Sequence, residues 1–122
     1  MPELTSDSAR EIISLYHRTM REPDASPPPL GMTPAEQFAV EASPRGLTES
    51  GFDWKNWEPY QDNRISDPAF IASADTATLR RIATTHLRLD RFVGGHLEKI
   101  EETGILATIV DRLQDLVDSG DL

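Results

Sequence analysis

The sequence contains no cysteine, which excludes a disulfide, a thiolate nucleophile and any sulfur-ligated metal. Lysine is almost missing as well, since only Lys55 and Lys99 carry an ammonium while ten positions are arginine. No apolar run approaches the ~18 residues of a membrane span, and the N-terminus MPELTSDSAR lacks the basic and apolar regions of a secretion signal. A cytoplasmic chain with no membrane role is the resulting expectation. Runs of alternating β-branched residues are absent, so no sheet of consequence is predicted. A Gly-rich phosphate loop, a G-x-S-x-G elbow and closely spaced carboxylates in an apolar setting are also missing, so neither a catalytic residue nor a cofactor is expected.

What the chain has in excess is negative charge. Twenty-one Asp and Glu against twelve Lys and Arg leave −9 over 122 residues. Such an excess weakens a compact state by self-repulsion unless concentrated cations screen it. Carboxylates carry more charge and water per carbon than the apolar stem of lysine, so the scarcity of lysine fits the same setting. The composition therefore reads as that of a halophile. It also disfavours broad electrostatic capture of nucleic acid or anionic membrane, although a local basic face remains open.

The length fits one domain able to bury its own core. The organisation expected is an N-terminal helix over 1–22, a Pro-rich strap over 23–32 and a helical bundle over 33–122. Ser8 to Glu11 has capping-box spacing, and Ile12, Ile13, Tyr16 and Met20 follow at helical intervals, which predicts a helix over about 8–22 that Pro23 ends. The segment PDASPPPLG favours extended polyproline backbone. Thr33-Pro34-Ala35-Glu36 signals a second helix, which ends by Ser43-Pro44. Residues 43–51 read as turns, Phe52 to Trp57 as a short aromatic element, and Asp67-Pro68 as the start of a short helix to about Ala74.

Asp75 then caps the main helix, predicted over 76–93, where Leu79, Ile82, Leu89 and Val93 share an arc of about 80°. Gly94-Gly95 interrupts it, and a short helix leads to Thr103, with Gly104 placed to end that turn in the left-handed region. The last helix spans 105–118. Its apolar arc is about 140° wide, with Asp111, Asp115 and Asp118 opposite. The fold class expected is all-α, an irregular bundle around a central antiparallel pair formed by 76–93 and 105–118.

Few residues carry recognisable chemistry. Arg80, Arg81, Arg88 and Arg91 fall within about 100° of arc on the main helix, either a surface for phosphate or carboxylate or a solvated face met by acidic residues. His86 sits in the apolar stripe, where a neutral histidine with one ring nitrogen bonded to a backbone carbonyl is the plain reading. It converges with His96 only if the Gly94-Gly95 break turns the chain, and three histidines without ligand spacing predict no metal. Trp54 and Trp57 offer a stacking platform or, more simply, a plug at the end of the bundle.

The blocks Phe52-Asp53-Trp54-x-x-Trp57, Asp67-Pro68, Ala74-Asp75-x-x-Thr78-Leu79-Arg80, Arg91-Phe92-x-x-Gly95-His96-Leu97, Gly104-Ile105-Leu106 and Arg112-Leu113 resemble a family of small helical proteins of archaea and bacteria, domain of unknown function 6508. The resemblance spans about 52–116 and leaves 1–50 unmatched. It brings no activity; it implies that the Arg-Phe-x-x-Gly-His block and the aromatic block pack together or line one site.

The functional expectation is a non-enzymatic interaction module with a protein partner, since the patterned residues all serve packing. Two alternatives stay open: a nucleic-acid accessory protein using the arginine face, and a small enzyme around Arg91, His96 and His86. If the Arg91 to His96 block is structural, His96 only caps or packs, and its replacement by alanine costs little. Oligomeric state is not legible.

Overall fold

A computed structural model describes residues 3–22 and 31–122. Among them are seven α-helices and several single turns, with no strand, so the fold is all-α. The Pro-rich strap falls outside the described residues apart from its last two positions.

Helix α1, Ser6–Tyr16, begins two residues before the predicted start. Thr5, not Ser8, is its cap: the Ser8 N–H donates to Thr5 Oγ1 at 3.1 Å, and the Thr5 N–H donates to Ser8 Oγ at 2.8 Å. The expected reciprocal cap is therefore present with a serine hydroxyl in the place of the usual carboxylate. The helix then widens into a π turn over His17–Arg21. Its buried face, Ala9, Ile12, Ile13, Leu15 and Tyr16, repeats at helical spacing. Helix α2, Pro34–Ala42, carries the predicted Thr33–Glu36 capping box and the proline at its first turn. Tyr16 meets Phe38 of α2 edge to face, at 5.6 Å between ring centres.

Next come a 3-10 turn at Ser43–Arg45, another at Trp54–Asn56, the short helix α3 at Glu58–Gln61, a turn at Arg64–Ser66, and α4 at Pro68–Ala72. Gly46 holds a left-handed φ of 98° against the start of the chain, where a Cβ would stand 2.7 Å from the Glu3 carbonyl oxygen. Only glycine fits that approach.

Helix α5, Thr76–Leu89, is capped by Asp75, whose carboxylate accepts the Thr78 N–H at 2.8 Å. Hydrogen bonding from Thr78, its side chain first and then its N–H, holds the Asp75 carboxyl below its usual range. The helix ends four residues earlier than the apolar stripe predicts. Asp90 turns its carboxylate to the Leu97 N–H at 3.0 Å, Gly95 takes a left-handed φ of 80°, and the chain reverses into α6, His96–Glu102. Val93, expected in the buried stripe, is 48% exposed as a result.

Gly104, left-handed as expected, leads into α7, Ile105–Asp118. This helix is the hub and packs against α1, α4, α5 and α6, so the core is built around one helix rather than around the α5–α7 pair alone. Leu106, Ile109, Val110, Leu113 and Leu116 are buried along it, each stabilising the fold by roughly 1.5–3 kcal/mol relative to exposure. Three side-chain bonds tie the helices at their edges: Tyr16 Oη to Glu101, Thr33 Oγ1 to Glu98, and Arg112 Nε to the Ala74 carbonyl.

Candidate functional site

The expected arginine face does not exist as a unit. Arg80 lies half-buried, its Nε donating to the Gly46 carbonyl at 2.8 Å and its Nη2 to that of Thr48 at 3.0 Å. Arg81 pairs with Glu49 at 3.2 Å and rests on the Phe52 ring. Thr84 completes the clasp by accepting the Glu49 N–H at 2.9 Å while it donates to the Arg80 carbonyl. These residues bind the 46–49 loop to α5. A helical wheel places all four arginines together because it measures angle and carries no record of which loop lies over which turn.

Arg88 and Arg91 are different. Neither side chain enters an ion pair or hydrogen bond among the described residues. Both line a groove of about 370 Å³ between α2 and the junction of α5 with α6. Its apolar lining is Met32, Ala39, Val40, Leu87 and Leu97. Two carboxylates reach the same groove, but each is engaged with backbone: Glu36 accepts the Thr33 N–H at 3.0 Å and Asp90 the Leu97 N–H at 3.0 Å. The two guanidinium groups thus keep their donors unengaged among the described residues, while both carboxylates already accept a backbone N–H. Of the large apolar side chains that stand exposed among the described residues, Val40, at 61%, lies in the groove, while Phe92, at 66%, and Val93 directly follow Arg91 in the chain.

The histidines do converge. His86 is fully buried, with Nε2 at 2.8 Å from the Ile65 carbonyl and Nδ1 at 3.0 Å from His96 Nε2. A carbonyl only accepts, so His86 carries its proton on Nε2, its Nδ1 is an acceptor, and His96 must donate from Nε2. The ring centres lie 5.2 Å apart and the planes are 14° from parallel. A ring nitrogen sits about 1.1 Å from its own ring centre, so this separation is nearly the largest that the nitrogen contact allows. The two rings therefore meet end to end in one plane, as a hydrogen bond requires, rather than face to face or converging on a shared ion. Burial, chiefly, pushes the His86 pKa down to about 4, with the neighbouring His96 adding to the fall and the Ile65 bond opposing it. His96 is lowered too, again chiefly by burial, while Asp90 acts the other way.

The plain reading of His86 thus describes its Nε2, and Nδ1 was missed. The expectation that His96 can be removed at little cost is corrected: without it His86 Nδ1 is a buried acceptor with no donor. Arg91 does not join the pair, since neither histidine lines its groove. No group of three or more metal-ligating side chains is found among the described residues.

Trp54 is buried in a 3-10 turn rather than on a helix, packed edge to face on Tyr60 at 5.0 Å between ring centres. Trp57, half-buried, meets Phe52 at 5.3 Å. Phe92 leans on Trp54 at 6.0 Å, and the Lys55 ammonium lies 4.6 Å from the Phe92 ring centre. The aromatic block and the Arg-Phe-x-x-Gly-His block therefore pack together. Asp90 and Thr84 escaped notice because short polar residues inside a helical pattern carry no periodic signal.

Among the described residues no helix is long and apolar enough to cross a membrane. No curated protein and no solved structure matches the chain. The match to a family model runs over residues 1–119, so the N-terminal part left out of the sequence resemblance is included, and the chain belongs to the family of unknown function DUF6508.

Proposed function

We propose that the protein is a non-enzymatic, cytoplasmic protein-interaction module adapted to high salt, and that its docking face is the groove between α2 and the α5–α6 junction. One observation carries the reading. The two guanidinium groups that find no partner among the described residues line one groove with the exposed Val40, and the exposed Phe92 and Val93 follow Arg91 directly in the chain. An exposed apolar cluster rimmed by charge marks an interaction surface more often than a solvated one, and arginine is enriched at binding hot spots. The other patterned residues are consumed by the fold. Arg80, Arg81, Thr84 and His86 hold a loop or a turn, and Trp54 fills the core edge.

Affinity capture from a native-salt lysate tests this with paired variants. Val40→Asp with Arg91→Glu is expected to lose whatever the parent chain retains, while Asp115→Lys on the exposed side of α7 retains it. A partner held equally by the groove variant overturns the reading.

A further inference from the structure

Resting on that reading, we infer that the groove takes an acidic peptide segment presenting two carboxylates beside an aliphatic side chain. Arg88 lies in the last turn of α5 and Arg91 in the turn that follows it, and both line the same groove. A guanidinium fork matches a carboxylate in two parallel hydrogen bonds, and neither fork is satisfied among the described residues. Between the forks and α2 the apolar part of the lining is Met32, Ala39, Val40, Leu87 and Leu97, which accepts an aliphatic group, with Ser43 and Thr48 beside it. A second copy of this chain meets only half of the requirement. Its exposed α7 positions, Asp111, Asp115 and Asp118, supply carboxylates, whereas the large apolar residues of that helix are turned to the core or only partly exposed.

The overall charge of −9 adds a signature. At long range the protein repels an acidic peptide, and salt removes that repulsion, since the screening length falls to about 3 Å at 1 M. The close paired contacts over apolar floor survive. Binding is therefore expected to hold or strengthen as KCl rises from about 0.1 M to 2 M, opposite to a nucleic acid, whose affinity falls steeply as phosphate contacts lose their counterion release.

The test is fluorescence anisotropy on the full chain with a short labelled peptide of alternating Glu and Leu. Controls replace Glu by Gln, replace Leu by Ser, and substitute a single-stranded oligonucleotide. The expected result is binding of the Glu/Leu peptide that survives 2 M KCl and weakens about tenfold for each of Arg88→Gln and Arg91→Gln. Both residues are at the surface, and circular dichroism checks that the variants fold. Equal binding of the Gln peptide or of the Ser peptide overturns the acidic-aliphatic assignment. So does equal binding of the variants, preferential binding of the oligonucleotide, or a dimer in sedimentation that the arginine variants dissolve. If no peptide binds but groove variants still lose a captured partner, this inference fails and the docking face stands; if capture is also unchanged, both fail.

Discussion

His86 and His96, ten residues apart across a chain reversal, share one hydrogen bond of 3.0 Å whose direction is dictated by a third group, the carbonyl of Ile65. The result is a three-part strut from the Arg64–Ser66 turn through α5 to the first residue of α6. It locks the junction that forms one wall of the groove. The strut is neutral, and both its histidines sit below their ordinary pKa.

Removing the donor should hurt. His96→Ala leaves His86 Nδ1 buried without a partner and is expected to cost about 1–3 kcal/mol in denaturant unfolding. His96→Gln, which retains an N–H, should recover part of the loss. If His96→Ala unfolds at the parent midpoint, the histidine bond contributes nothing to the fold.

Acid should weaken the protein through the same pair. The folded pKa of His86, about 4, lies below the unfolded value near 6.5, so the unfolded chain binds the proton first. Stability is then full above pH 6.5 and declines as pH falls toward 4, by up to about 3 kcal/mol, with His96 adding in the same direction. Asp75, also lowered, loses its contribution mainly below about pH 4, at the acid edge of this window. Urea unfolding of the parent and of His86→Gln across pH 4–7 checks the assignment. An equally steep pH dependence in both would place the responsible group elsewhere.

The four arginines should separate by consequence. Arg80→Ala strips two backbone carbonyls of a charged donor and is expected to cost about 1.5–3 kcal/mol. Arg88→Ala and Arg91→Ala are expected to stay within about 0.5 kcal/mol of the parent, as surface changes do. Thermal melts of the three variants suffice. A costly Arg91→Ala would make that residue a structural part, not a free rim of the groove.

This division shows where the sequence was legible. Helix periodicity and caps located α2, α5 and α7 closely, because Thr33, Asp75 and the repeating aliphatic positions act within a few residues of themselves. The end of α5 was misplaced because it depends on Asp90 reaching seven residues onward to Leu97. The partners of Arg80 were not legible for the same reason on a longer scale, since the carbonyls it binds lie more than thirty residues away. Of the candidate residues, His96 was identified but its partner's second nitrogen was not. The aromatic block was expected against Phe92 on resemblance alone, and the ring contacts realise it.

The acidic excess has its own consequence. If concentrated cations relieve carboxylate repulsion, thermal unfolding followed by circular dichroism should move to higher temperature as KCl rises from about 0.1 M to above 2 M. A flat or falling midpoint would remove the halophile assignment while leaving the groove untouched.

The docking face itself is tested most directly by hydrogen exchange on the full chain, free and with its captured partner. Slowed exchange is expected over residues 32–43 of α2 and its approach and over residues 87–97 at the α5–α6 junction, with α1 and the outer side of α7 unchanged. Protection concentrated instead on α1 and α7, with the groove exchanging as in the free protein, would contradict the account.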